Sequence, residues 1–286
     1  MIKRDLANQV KLAAKKFPIV GIVGPRQSGK TTLVRRVFEK YDYVNLEEPD
    51  NRQFAKEDPR GFLETHSSQV IIDEVQKVPE LFSYLQTRVD QTNSPGQFIL
   101  TGSQHFLLME KISQSLAGRI ALFNLLPLSF EELENAKISF PNCLEYIFKG
   151  GYPRIFSDNI DPKSWYSNYV QTYVERDLRS LQNVTDLGAF QTFLKLCAGR
   201  VGQLINFSSL AQDAGISHNT ARQWLSLLQE SFIVFLLQPY YKNFNKRLIK
   251  SSKLYFVDTG LATWLLGINT QEQLKEHYLS GGLFEN

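Results

Sequence analysis

Gly24, Gly29, Lys30 and Thr31 fall in the run GPRQSGKT at 24–31, which fills every fixed position of the pattern GxxxxGK[ST]. The pattern has a physical content. Glycines let the backbone approach an anion closely, and N–H groups of the loop and of the helix behind it point at phosphate oxygens. A lysine reaches the outer phosphates, and a hydroxyl serves a hard cation. Here the run follows a short apolar, β-branched segment and precedes apolar residues at helical spacing, which is the strand–loop–helix setting such a loop needs. The phosphate cradle is therefore assigned to Gly24, Pro25, Arg26, Gln27, Ser28, Gly29, Lys30, Thr31 and Thr32. Lys30 is directed at the β- and γ-phosphates of a nucleotide, and the Thr31 hydroxyl at Mg²⁺.

Two further apolar runs end in residues that can act on a phosphate. VIIDE at 70–74 closes a strand on paired carboxylates. Asp73 is expected to hold the Mg²⁺ shell through water, and Glu74 to orient and polarise the attacking water as a general base. FILTGSQ at 98–104 ends in small hydroxyl and amide groups. If this strand lies between the first and third, Ser103 or Gln104 faces the γ-phosphate and the water on Glu74, since ligands in such sheets bind beyond the carboxyl ends of the strands. Phosphoryl transfer spreads negative charge over the γ-phosphate oxygens, so arginines matter. Arg119, just before the fifth strand, is the candidate sensor or finger, with Arg26 in the loop as a second.

The elements that must position these groups alternate. Strands are expected over 19–23, 43–46, 70–73, 98–101 and 120–125, with helices over 31–38 and 81–89. Pro49 and Pro59 are expected to break regular structure in the polar stretch after the second strand. The fold class expected is α/β, a parallel-sheet P-loop NTPase domain over 1–130. After Pro127 the apolar spacing is mainly helical and aromatic residues are plentiful, giving a helical linker or lid region over 131–200. A winged-helix-like domain is expected over 201–286, and the GGLFEN ending reads as an interruption of a longer sequence.

Composition narrows the classes. A net charge of +3 is too small to argue for nucleic acid by itself, so any basic surface must be local. Two distant cysteines, Cys143 and Cys197, suit a reducing cytoplasm and have no paired metal-ligand spacing. The basic and apolar N-terminus lacks a signal-peptide core, and the longest apolar runs fall far short of the ~20 residues a bilayer span needs. No membrane association is expected, and the location expected is cytoplasmic.

Taken together, these residues resemble a widespread group of prokaryotic AAA-type ATPases, in which a P-loop domain precedes a C-terminal domain of unassigned function containing a helix-turn-helix. The likeness runs through GPRQSGKT, NLEEPD at 45–50, VIIDEVQKVP at 70–79, LTGSQ at 100–104 and LAGR at 116–119. It continues through GGYP at 150–153, YVERDLR at 173–179 and YFVDTGL at 255–261. The resemblance implies ATP as nucleotide, Mg²⁺ as cofactor and an AAA-like sheet. It also implies a further segment, similar to restriction-endonuclease folds, which this sequence does not contain, so no nuclease activity is assigned.

In the second half, 207–232 reads as a short helix, a turn at Gly215, a cap at Ser217 and a longer helix, the spacing of a helix-turn-helix. His218, Asn219, Arg222 and Gln223 fall early on the second helix, and 241–253 carries five basic residues and no acidic one. One reading is DNA contact through Arg222, Lys246, Arg247 and Lys250. The other is a protein partner or a brace between domains, because the fold does not fix the function. The cluster Glu175, Arg176, Asp177 and Arg179 pairs internally at helical spacing, or presents an arginine to a neighbouring copy in a homo-oligomer. The function expected is ATP hydrolysis that changes the posture of the C-terminal module. The alternative is a nucleotide-gated regulatory or DNA-binding switch with little intrinsic hydrolysis. A small-molecule kinase is disfavoured, since Asp73–Glu74 suits water activation.

Overall fold

The computed structural model describes residues 2–92, 94–103, 115–174, 186–240 and 251–286. The chain divides into two compact units, Ile2–Leu126 and Pro127–Asn286.

The first unit runs α1 (Leu6–Ala13), β1 (Ile19–Val23), α2 (Lys30–Val37), β2 (Asp42–Asn45), α3 (Pro49–Glu57) and α4 (Pro59–Thr65). It continues with β3 (Val70–Asp73), α5 (Leu81–Thr92), β4 (Phe98–Gly102) and β5 (Ile120–Asn124). The strands form one parallel sheet in the order β2-β3-β4-β1-β5. Every residue of β1, β3 and β4 is buried, as expected of central strands covered on both faces, whereas the edge strands β2 and β5 are partly exposed. Against one face, Val10 and Ala13 of α1 and Leu33 and Val34 of α2 pack on Val20, Ile22, Ile71 and Ile99.

Because β4 intervenes between β1 and β3, three strands that are far apart in the sequence end side by side. Their carboxyl ends deliver the 24–29 loop, Asp73–Glu74 and Thr101–Ser103 to a single rim. The expectation that Pro49 and Pro59 break regular structure is corrected. Each proline occupies the first turn of a helix, α3 and α4, where its missing N–H has no intrahelical partner to lose. Between the two helices, Asp58 caps α4 by accepting from the Gly61 N–H at 2.9 Å.

The second unit holds one hydrophobic core that runs from Ile147 to Leu283. The segments 131–200 and 201–286 therefore share a core and form one unit. Helix Leu187–Ala198 is followed by helix Phe207–Ala214, which is capped by Asn206 and ends at Gly215 in the left-handed region, φ 66°. Ser217 caps the next helix, His218–Glu230, by accepting from the Thr220 N–H at 3.0 Å. Two antiparallel strands follow, β6 (Val234–Leu237) and β7 (Lys253–Phe256). Residues 241–250, and with them Lys246, Arg247 and Lys250, lie outside the described residues, as do Glu175, Arg176, Asp177 and Arg179.

Two sequence runs with no evident chemistry, GGYP and the DTG of YFVDTGL, meet in this unit. Asp258 is buried and accepts from the Gly151 N–H (2.7 Å), the Tyr166 hydroxyl (2.5 Å) and the Leu261 N–H (2.9 Å). Burial raises its carboxyl above the usual carboxylate range, against the opposing pull of these donors. A Cβ on Gly150 would stand 2.1 Å from the Tyr166 hydroxyl and one on Gly260 2.3 Å from it, so both positions are confined to glycine by packing. Tyr152, Trp165 and Tyr169 stack around this group, with the Tyr152 hydroxyl donating to that of Tyr169 at 2.9 Å.

Candidate functional site

The 24–31 loop is held open by local geometry. A Cβ on Gly24 would lie 2.1 Å from the Leu125 carbonyl oxygen, so only glycine lets the loop leave β1 so close to the end of β5. Gly29 sits in the left-handed region (φ 93°, ψ 22°) immediately before α2, turning the loop so that the helix starts at Lys30 with Thr31 and Thr32 in its first turn. The first N–H groups of a helix have no partner within it, which makes a helix N-terminus suited to binding an anion. Gln27 also takes a positive φ of 63°, and the Ser28 N–H donates to the Pro25 carbonyl at 3.3 Å. Among the described residues the fully buried Ser28 hydroxyl has no hydrogen-bond partner, an orphaned polar atom inside a phosphate-shaped loop.

Lys30 is buried, and its ammonium donates to the carbonyls of Gly24 (2.9 Å) and Pro25 (2.8 Å). Burial draws it down to about 8, while Glu74 and Asp73 pull the other way. Burial disfavours the ammonium form, and a negative charge beside it favours that form. Arg26 reaches outward and pairs with Glu47 of the NLEEPD run at 3.0 Å. Arg4, which sequence reasoning passed over, donates to the Ser28 carbonyl (2.7 Å) and the Leu126 carbonyl (2.5 Å), tying the loop to the chain after β5.

Asp73 ends β3 almost wholly buried, and three hydroxyls converge on it. Thr31 Oγ1 donates to Oδ2 at 2.8 Å, Tyr43 Oη to the same oxygen at 2.7 Å, and Thr101 Oγ1 to Oδ1. Tyr43 and Thr101 are further residues that the sequence reading missed. Thr101 follows Leu100, the register partner of Ile72, and so stands beside Asp73. Tyr43 pairs in register with Ile71, two positions before Asp73 and on the same face of the sheet. Only the sheet order exposes either relation. Burial first, and the bond to Asp73 second, push the Tyr43 phenol well above its ordinary value, so it stays a donor. The Arg35 guanidinium sits 4.7 Å over its ring.

Glu74 takes a left-handed backbone (φ 56°, ψ 44°), unusual for a side-chain-bearing residue and common at functional turns. The Thr101 hydroxyl accepts from the Glu74 N–H at 3.3 Å while donating to Asp73, so one group on β4 sets both carboxyl residues. Glu74 Oε2 accepts from Ser103 Oγ at 3.1 Å and from the Gln76 amide. That amide also donates to Ser103 Oγ at 3.2 Å. The structure thus brings together Lys30, Thr31, Asp73, Glu74 and Ser103, while Gln104 lies outside the described residues.

Arg119 lies away from this group. Its carbonyl accepts from the Ile19 N–H, which places it at the amino end of β1, whereas the loop leaves the carboxyl end after Val23. Four residue steps of strand separate the two ends, about 13 Å. Its side chain forms a two-pronged pair with Asp90 of α5, Nε to Oδ1 at 2.5 Å and Nη2 to Oδ2 at 2.9 Å. Arg119 is thus placed apart from the loop of its own chain and is bonded to Asp90.

The residues fit Mg²⁺. Among the described residues no group of three or more His, Cys, Asp or Glu is arranged to hold a metal ion. Mg²⁺ at a nucleotide site needs no such cage, drawing instead on a few protein oxygens, waters and phosphates. The Thr31 hydroxyl gives its proton to Asp73, which leaves its lone pairs for a cation, and the buried Asp73 carboxylate suits water-mediated support.

The comparisons with known proteins agree with this geometry. Residues 16–134 match the AAA domain family, and residues 140–272 match a domain of unknown function (DUF8612). Uncharacterized proteins of Mycobacterium bovis and Mycobacterium tuberculosis are each 33% identical over 288 residues, covering 99% of this chain and 64% of theirs. An uncharacterized protein of Methanocaldococcus jannaschii is 24% identical over 290 residues, covering 90% of this chain and 64% of its own. The chain thus spans 64% of the length of the mycobacterial relatives it matches. The solved structure of a Walker-type ATPase from Pyrococcus abyssi superposes with a TM-score of 0.60 at 13% identity, over 93% of this chain and 96% of that one. The fold is that of a P-loop NTPase, and the first unit is similar to the AAA domain family over the residues matched. Among the described residues no helix is long and apolar enough to cross a membrane.

Proposed function

We propose that the chain is a Mg²⁺-dependent ATP hydrolase whose nucleotide state sets the behaviour of its second unit toward a partner. The observation that carries the proposal is the convergence at one rim of a buried Lys30, a Thr31–Asp73 pair and a Glu74 steadied by Ser103. Backbone N–H groups of the loop and the start of α2 bind the β- and γ-phosphates, and Lys30 exchanges its carbonyl partners for phosphate oxygen. Thr31 and, through water, Asp73 would hold Mg²⁺, which when bound would supply positive charge against the phosphates. Glu74 accepts a proton from water as that water attacks the γ-phosphorus, and Ser103 keeps the carboxylate in place. Arg119 contributes to such a reaction only from a second copy of the chain, in a homo-oligomer.

The second unit supports a winged-helix reading through its helix, glycine turn, capped helix and following antiparallel strands. Arg222 lies on the second of these helices with its guanidinium 5.1 Å from the Phe207 ring. DNA contact through Arg222, Lys246, Arg247 and Lys250, or docking of a protein, is what nucleotide state would then govern.

Glu74→Gln tests the hydrolytic reading. It is expected to bind ATP as the unaltered protein does while turnover falls by about 10²–10⁴, the worth of a positioned general base. Retained turnover would leave a nucleotide-gated switch, with hydrolysis incidental, as the better account.

A further inference from the structure

We infer that Gln76 is a catalytic residue, holding the attacking water through its amide oxygen while its amide nitrogen holds the base. The inference rests on the hydrolytic reading of the same site.

Gln76 follows Glu74 by two residues in the short turn Val75–Lys77 and is more than nine-tenths buried. Its Nε2 donates to Glu74 Oε2 and to Ser103 Oγ at 3.2 Å. These contacts fix which way the amide faces. Glu74 offers only acceptors when ionised, and the Ser103 hydroxyl spends its one proton on Glu74, so both neighbours require a donor from Gln76. Turning the amide over would set a carbonyl against a carboxylate. Oε1 is therefore committed to the other side, where it is buried and has no hydrogen-bond partner among the described residues.

A buried carbonyl oxygen without a donor is uncommon in a native protein, and it calls for a specific explanation. Glu74 supplies the complement. Both of its side-chain bonds fall on Oε2, so Oε1 accepts nothing among the described residues. Two unused acceptors on side chains that are bonded to each other suit a species with two donors to give. Water is that species. One O–H points to Glu74 Oε1 and the other to Gln76 Oε1, which leaves a lone pair on the oxygen for phosphorus. As the new P–O bond forms, the proton on the Glu74 side passes to that carboxylate. The bond from the γ-phosphorus to the β,γ-bridging oxygen breaks, and ADP leaves with the electron pair.

The test compares Gln76→Met, close in size but without either amide function, with the unaltered protein and with Glu74→Gln. Turnover by Gln76→Met should fall roughly ten- to a hundredfold, with the ATP dissociation constant within about twofold of the original. Trapping by ADP and aluminium fluoride, which mimics the transferring phosphoryl group with its water in line, should weaken by a similar factor. A merely structural role would not split the two affinities. Gln76→Asn keeps the amide but draws it back by one methylene, and should also lose turnover without losing ATP. It serves as the deciding variant if Gln76→Met does not fold. Unchanged turnover in the folded variant, alongside an inactive Glu74→Gln, overturns the inference and leaves the hydrolytic reading standing. Full turnover in Glu74→Gln removes both.

Discussion

Replacing Asp258 with alanine removes the acceptor around which the second unit's glycine turn and its 259–265 helix are assembled. The carboxylate accepts from the Gly151 N–H, the Leu261 N–H and the Tyr166 hydroxyl. Tyr166 retains a second acceptor, the Lys149 carbonyl at 3.0 Å, so the variant strands the two backbone donors and not all three. Each buried donor left unsatisfied costs about 1–3 kcal/mol, and one of these is also a helix cap. Against this stands the relief of no longer burying an acidic group, which offsets part of the loss. The net expectation is a destabilisation of about 2–4 kcal/mol. The assay is selective, because the chain's three tryptophans, Trp165, Trp224 and Trp264, all lie in the second unit, so their fluorescence during urea unfolding reports that unit alone. The sign with pH follows from the raised carboxyl. A group that holds its proton more tightly when folded contributes most stability below the ordinary carboxylate range, and loses it as pH rises through the folded value. The gap between the unaltered protein and Asp258→Ala should therefore widen as pH is lowered. A shift under about 0.5 kcal/mol, the size of an ordinary surface change, would refute the claim that this carboxylate organises the unit.

Three further outcomes are expected. Lys30 ionises near 8 in the free protein, so ATP affinity measured by calorimetry should fall above that pH, by about tenfold per unit once the neutral amine dominates. A flat profile between about pH 7.5 and 9.5 would mean that the lysine charge does not carry phosphate binding. Arg119→Ala should leave both turnover and ATP affinity unchanged in protein dilute enough to be monomeric, since its partner is Asp90; a loss of turnover under those conditions contradicts the placement. Duplex DNA binding by the second unit should weaken steeply with salt, and Arg222→Ala should reduce the slope by about one if it meets a phosphate. No binding even at low salt favours a protein as the partner.

Much of the first unit was legible in the sequence because its signals are local. The 24–31 loop needs glycines for close approach and lies between a strand and a helix that adjoin it in the chain, and VIIDE carries its carboxylates on the strand that presents them. The two prolines misled because the rule that proline disrupts helices holds for helix interiors. At the first turn, as with Pro49 and Pro59, the same fixed φ begins a helix.

What only the tertiary structure decided is which distant residues meet. Parallel strands are joined by crossovers, so neighbours in the sheet are not neighbours in sequence, and the order β2-β3-β4-β1-β5 brings Tyr43 and Thr101 to Asp73. Arg119 precedes β5, which runs parallel to β1, so it stands at the amino end of β1 and away from the loop. Gln76 was visible in VIIDEVQKVP, but its role depends on a left-handed turn at Glu74 and a hydroxyl 27 residues away. GGYP and DTG became intelligible only when a buried carboxylate joined Asp258 to Gly151 across 107 residues. Composition and spacing determine which groups a segment can offer; burial and strand order determine which of them are left facing one another with no water between.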